Sequence, residues 1–207
     1  MKKLILTVTA SLACVAAFAQ GKVGFQNDSV HLAYYGSTLG SDAALAGQGV
    51  DSAHMPTGVT LVADLYAGTS SSALSLVSTT TFSAVPGKWN AASVTVPGAG
   101  GGTTVFLVTQ IRNQASVAPA AFVGTPQSVP GTVYYGASSI FSFTLGSGVT
   151  YPVMWGTSGT WAAGTAALDQ YGAGSKGAIA VSAIPEPASF ALAGLGIAAL
   201  TILRRRK

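Results

Sequence analysis

The chain has 207 residues, of which only 8% are charged, against roughly 25% in an ordinary soluble domain. Its formal charge of +4 is carried by the two ends: between Gly21 and Ala183, Lys22, Lys88, Arg112 and Lys176 face Asp28, Asp42, Asp51, Asp64 and Asp169, a near-balance of four against five. This argues against a nucleic-acid binder, whose basic residues gather in a patch. The spread of Val, Leu, Ile, Phe and Tyr argues against disorder, and the wealth of Gly, Ser, Thr and Val argues against a helical fold.

The N-terminus reads as a secretory signal over residues 1–19. Lys2 and Lys3 form the positive start, "LILTVTASLACVAAF" the apolar segment, and Ala17-Phe18-Ala19 an A-x-A site that makes Gln20 the first mature residue. Cys14, the chain's one cysteine, lies inside this segment. Ser11 stands where a lipoprotein signal carries Leu, so simple cleavage is the expected route. The exported domain then has no disulfide and no thiolate ligand or nucleophile.

Residues 20–183 read as short strands separated by turns. "GFQN" (24–27) and "HLAYY" (31–35) are the first candidates, followed by a long loop over 39–56 with a helical turn. In 59–68, Val59, Leu61, Ala63 and Leu65 alternate with Thr60, Val62, Asp64 and Tyr66, the period of a strand. The β-branched run 75–82 follows, then a Pro-Gly turn at 85–90 and a short strand 93–96 closed by "PGAGGG". "TTVFLVTQI" (103–111) is the most apolar strand and is expected at the sheet centre. Residues 113–131 are Pro-rich and extended. Residues 139–146 alternate Phe141, Phe143 and Leu145 with Ile140, Ser142 and Thr144, and "GAIAVSA" (177–183) is a last strand. This pattern predicts an all-β domain, an antiparallel β-sandwich of jelly-roll type. No fixed repeat supports a propeller or solenoid.

Residues 184–207 change character. Ala188–Leu203 is free of charge and slightly shorter than the about 20 residues of a spanning helix. Pro187 and the stems of Arg204 and Arg205 can lengthen it, so a single transmembrane helix is expected. The cluster Arg204, Arg205, Arg206 and Lys207 places its far end in the cytoplasm.

Ile184-Pro185-Glu186-Pro187, the apolar run and the terminal basic cluster together resemble a PEP-CTERM sorting domain. Ile184 replaces the usual Val, and Ala188 intervenes before Ser189. The resemblance implies a bacterium with two membranes that makes exopolysaccharide. It implies export, cleavage by signal peptidase, anchoring in the inner membrane, and processing near the motif by an exosortase. The destination is then the envelope, cell surface or extracellular matrix. Pro185, Glu186 and Pro187 would be substrate residues. Residues 58–145 also resemble a β-rich ectodomain that recurs in such proteins, with no activity attached.

Chemistry is sparse. No G-x-S-x-G, H-E-x-x-H, P-loop or EF-hand pattern occurs. "GAGGG" (98–102) lacks the Gly-Lys-Ser/Thr of a phosphate loop and reads as a turn. Five Asp and no Glu precede Glu186, which leaves little for a paired-carboxylate glycosidase. His31 and His54 lack metal-ligand spacing, although Asp42 and Asp51 lie near His54 in the sequence. We therefore expect no catalytic residue, no metal and no cofactor. A second reading is a carbohydrate-binding module. Its stacking platforms would come from Trp89, Trp155, Trp161, Tyr34, Tyr35, Tyr134, Tyr135 and Tyr151, with Trp155 and Trp161 the strongest candidates because "YPVMWGTSGTW" is the densest aromatic loop.

Overall fold

The computed structural model describes residues 20–27, 31–36, 40–124, 134–147, 152–154 and 177–183. The signal segment, Trp155, Trp161 and the whole stretch 184–207 lie outside them. Among the described residues nine strands form: β1 (Gln20–Phe25), β2 (Leu32–Tyr35), β3 (Leu61–Gly68), β4 (Ser75–Thr81), β5 (Ala92–Gly100), β6 (Thr104–Asn113), β7 (Tyr134–Ala137), β8 (Phe141–Thr144) and β9 (Gly177–Ala183). A 3-10 segment, Gly40–Leu45, sits in the loop after β2.

Seven strands form one sheet in the order β2-β9-β7-β6-β3-β4, with β8 also paired to β6. β1 and β5 form a second, antiparallel ribbon. The named pairings are antiparallel except β2 with β9, which is parallel, so the large sheet is mixed rather than purely antiparallel. The parallel pair arises because an early strand and the last one lie side by side and run the same way.

The period-two pattern in the sequence is what builds the core. Leu61, Ala63, Leu65 and Ala67 of β3 and Val105, Leu107 and Ile111 of β6 point to one side of the large sheet. There they meet Val23 and Phe25 of β1 and Val94, Val96 and Ala99 of β5, so one core lies between the two sheets. Each fully buried Leu or Ile contributes about 1.5–3 kcal/mol. Phe143 and Leu145 extend the core while Ile140, Ser142 and Thr144 stay exposed, as the alternation in 139–146 requires.

The opposite face of the large sheet is buried as well. Tyr66, Leu74 and Val108 pack there with Leu76, Phe106 and Phe122. Residues 113–124 run back across this face and cover the outer edge of β4, where Leu76 N–H donates to Ala120 O and Phe122 N–H to Leu74 O. The far edge of β2 is covered in the same way, since Tyr35 N–H donates to Gln48 O and Val50 N–H to Ala33 O. The chain thus caps two strand edges with its own loops rather than with the charged side chains it lacks.

Two strand readings change. β5 does not close at Val96 but continues through Pro97 and Gly98 to Gly100. The partners step from Lys22↔Thr95 to Gln20↔Gly100, so the Pro-Gly pair is an exposed bulge, with Gly98 at φ 72°. β7 was not expected as a strand. Its "YYGA" is too short to show a period, and its pairing with Gln110–Arg112 of β6 is what makes it one.

Candidate functional site

Charged and aromatic side chains decide what this domain can do, and the structure commits most of them to holding the fold. Asp64 in β3 and Arg112 in β6 are buried on the outer face of the large sheet, 0% and 5% exposed. Arg112 Nε donates to Asp64 Oδ2 at 2.6 Å and Thr79 Oγ1 donates to Asp64 Oδ1 at 2.6 Å. Arg112 Nη1 reaches Ser116 O at 2.6 Å, and Ser116 Oγ donates to Asn113 O. Tyr66 Oη donates to Pro119 O at 2.9 Å. This network fixes the covering segment 113–124 to the sheet. The buried pair escaped the sequence reading. Its signal was a charge within an apolar strand of a chain that has so few.

Asp51 and His54 do come together, in the loop between β2 and β3. Asp51 Oδ1 accepts from Ala53 N–H at 2.8 Å and His54 N–H at 2.6 Å, and His54 Nδ1 lies 3.1 Å from both carboxylate oxygens. Burial pushes the Asp51 carboxyl up. The hydrogen bonds from the His54 ring, His54 N–H and Ala53 N–H outweigh it and hold the group below the usual carboxylate range. The carboxylate is 5% exposed while the His54 ring is 69% exposed. A dyad built for general-base work would orient the imidazole toward a sheltered substrate position; here the carboxylate closes an Asx turn and the ring faces solvent.

Tyr35 and Tyr134 stand beside this loop. Tyr134 Oη hydrogen-bonds Asp42, and Tyr35 Oη donates to His54 O at 3.3 Å. Burial, then the neighbouring Asp51, Tyr134 and Asp42, push the Tyr35 phenol far above its ordinary value. Burial and the bond to Asp42 push Tyr134 up to about 12. Burial alone pushes Tyr135 up to about 12. All three phenols stay neutral, and those of Tyr35 and Tyr134 tie the loop 40–56 to β2 and β7. Among the described residues, no group of three or more His, Cys, Asp or Glu side chains could hold a metal ion.

The aromatic platforms are largely withdrawn into the core. Trp89 is 4% exposed, packing 5.4 Å from Phe25 and edge-on to Phe82 at 6.3 Å. Tyr35, Tyr134 and Tyr135 are buried too, and Tyr34 is half-buried. Four of the eight aromatics considered for sugar stacking are therefore core residues. A ring plane enclosed by Phe and Val cannot receive a sugar. Asn27 heads a formal N-x-S sequon, but its buried amide donates to His31 O and Gly87 O and accepts from Trp89 N–H. His31 is buried in the same corner.

Few charges stand on the described surface. Among the described residues, Lys22, Lys88 and Asp42 are half-buried and Asp51, Asp64 and Arg112 are buried, so no lysine, arginine or aspartate is fully exposed.

The sorting residues Pro185, Glu186 and Pro187, the cluster Arg204–Lys207 and the cleavage pair Ala17 and Ala19 lie outside the described residues. Gln20 is exposed and opens β1. What the structure does show is where the chain departs. Ala183, the last described residue of β9, pairs with Tyr134 of β7 at the end of the sheet that carries the loop 40–56.

The comparisons bear on this departing stretch. Residues 183–207 match the family described as the PEP-CTERM protein-sorting motif. Residues 183–207 thus carry a PEP-CTERM sorting motif, which supports an exported protein, membrane-anchored before processing and sorted by an exosortase. No curated protein and no solved structure matches it.

Proposed function

We propose that this is a non-enzymatic exported protein of the cell envelope or extracellular matrix, delivered through its PEP-CTERM signal and associated with exopolysaccharide. The observation that carries the reading is the sorting motif beginning where the last strand ends, at Ala183, beyond a domain whose described charges serve its fold. In this reading residues 1–19 are removed by signal peptidase and residues 20–183 form a jelly-roll-like β-sandwich. Ala188–Leu203 is a single membrane-spanning helix with Arg204–Lys207 on the cytoplasmic side. Among the described residues no helix is long and apolar enough to cross a membrane; the proposed span lies beyond them.

The physical logic favours a transient anchor. Pro185 and Pro187 fix φ and lack backbone donors, so the stretch stays extended for an enzyme to read. Replacing Pro185, Glu186 and Pro187 with Ala tests the reading. The expected outcome is accumulation of unprocessed chain in the inner membrane. Unchanged delivery to the surface or medium would contradict it.

A carbohydrate-binding reading now rests on Trp155 and Trp161, since Trp89 and three of the tyrosines support the core. A polysaccharide array comparing the native chain with Trp155→Ala and Trp161→Ala decides it. Binding lost in both variants supports the module, and no binding to any polysaccharide sinks it.

A further inference from the structure

We propose that, before processing, one particular end of the domain lies against the lipid headgroups, namely the end built from residues 42–58 and 113–117. This rests on reading Ala188–Leu203 as the membrane-inserted segment. Ala183 is the last described residue paired in the sheet, and the apolar run begins at Ala188, so residues 184–187 are the tether that joins them. From Ala183 to Ala188 there are five backbone steps, about 17 Å fully extended at about 3.3–3.6 Å each. The headgroup layer takes about 5–8 Å of that. The remaining gap matches the roughly 10 Å between two packed sheets, so the end of the domain that carries Ala183 is held close to the bilayer.

The strand register decides which end is held there. Val181 O accepts from Gly36 N–H at 2.7 Å, and Tyr134, opposite Ala183, bonds Asp42. Tyr35 Oη donates to His54 O. Asn113 pairs with Leu61, and Gln114 N–H donates to Thr60 O at 2.6 Å. The loops 42–58 and 113–117 therefore share the end from which the tether leaves. The turn at 69–74, the glycine-rich turn at 101–103 and Ser147 share the other. Gly68 pairs with Phe106, Thr104 with Thr144, and a Cβ on Gly101 would meet Ser147. β6 spans the distance between the two ends, about 30 Å for a strand of its length.

The membrane-side surface exposes Ala43, Ala44, Ala46, Ala53, His54, Gln114 and Ala115, and the turn 83–88, bonded to it through Ser52 N–H to Ser83 O and Gly87 N–H to Val50 O, adds exposed Val85 and half-buried Lys88. Beyond Lys88 it offers little of the basic attraction to anionic lipid, about 1 kcal/mol for each Lys or Arg. The contact is imposed by the tether and does not depend on salt. The opposite end, made of Ser and Gly turns, is the face presented outward.

Single-cysteine labelling tests this in the full chain, with Cys14→Ser as background. Ala46→Cys and Ala115→Cys report the membrane side; Ser71→Cys and Ser147→Cys report the outer side. Inner-membrane vesicles from cells lacking exosortase are treated with a membrane-impermeant maleimide at low and high salt. The expected result is at least about tenfold slower labelling on the membrane side, the ratio for a site open a tenth of the time. It should be insensitive to salt, and lost in the processed protein. A long Gly-Ser insertion between Ala183 and Ile184 should abolish the difference without touching the fold. Equal labelling at all four positions in the anchored precursor would overturn the proposal alone. Release of the precursor by alkaline carbonate would overturn the anchored reading and the proposal with it.

Discussion

The Asp64–Arg112 pair shows how this domain uses its few charges. Removing one partner leaves a buried, uncompensated charge, which costs about 3–5 kcal/mol. Arg112→Met should therefore lower the urea midpoint sharply, whereas Asp64→Leu combined with Arg112→Met should cost less than the sum of the two single changes. Chemical denaturation of the three variants checks this. Asp51 makes a smaller contribution. Asp51→Ala removes the acceptor for two backbone donors and should cost about 1–2 kcal/mol. The Asp51 carboxyl is held below its unfolded value, so its contribution is present above pH of about 3.9 and is lost as pH falls through the folded value. The variant should lose that part of the acid dependence. Neither role was legible beforehand. Asp51 and His54 read as ordinary loop residues that happen to be close in sequence; the Asx turn that joins them and the outward direction of the ring are visible only in the structure.

At the scale of strands, much was legible because burial imposes a period. β3, β6 and β8 sit with the alternation their sequences carry, and β6 is central because its apolar residues fill both faces. What could not be read was any pairing that depends on distant partners. β7 is a strand because β6 and β9 flank it, and the Pro97–Gly98 bulge exists because β1 continues past it. The two covering loops were visible only as long and Pro-rich. The turn glycine of "VPGKWN" was legible: Gly87 has φ 81°, and a Cβ there would come within 2.6 Å of the Leu32 Cβ. Gly87→Ala should destabilise by more than the about 1 kcal/mol that a tolerated Gly-to-Ala change can gain, measured by thermal melting. β9 supplies the element-scale test of processing. A chain ending at Ala183 should melt as the intact domain does. One ending at residue 176 strips the pairing from β2 and β7 and should unfold at markedly lower temperature.

For the whole molecule, the buried tyrosines make one prediction about pH. Tyr35, Tyr66, Tyr134 and Tyr135 all keep their protons to higher pH folded than unfolded, with Tyr134 and Tyr135 at about 12. The unfolded chain releases these protons from about pH 10, so the native state binds more of them above that point and stability falls as pH rises. Urea midpoints at pH 9 and pH 11 should show the drop. The C-terminal sorting motif was the most legible part of the sequence, because a sorting signal is local and needs no partner from the fold. The domain before it was legible as β structure and not as a ligand site, since several side chains that looked available for binding are spent on packing. The central claim is that the chain is cut near Pro185-Glu186-Pro187 on its way out. The intact mass of the protein recovered from the surface or medium of exosortase-bearing cells tests it most directly. The account predicts a mass ending close to the motif and lacking Arg204–Lys207. Mature protein that retains those four residues would contradict it.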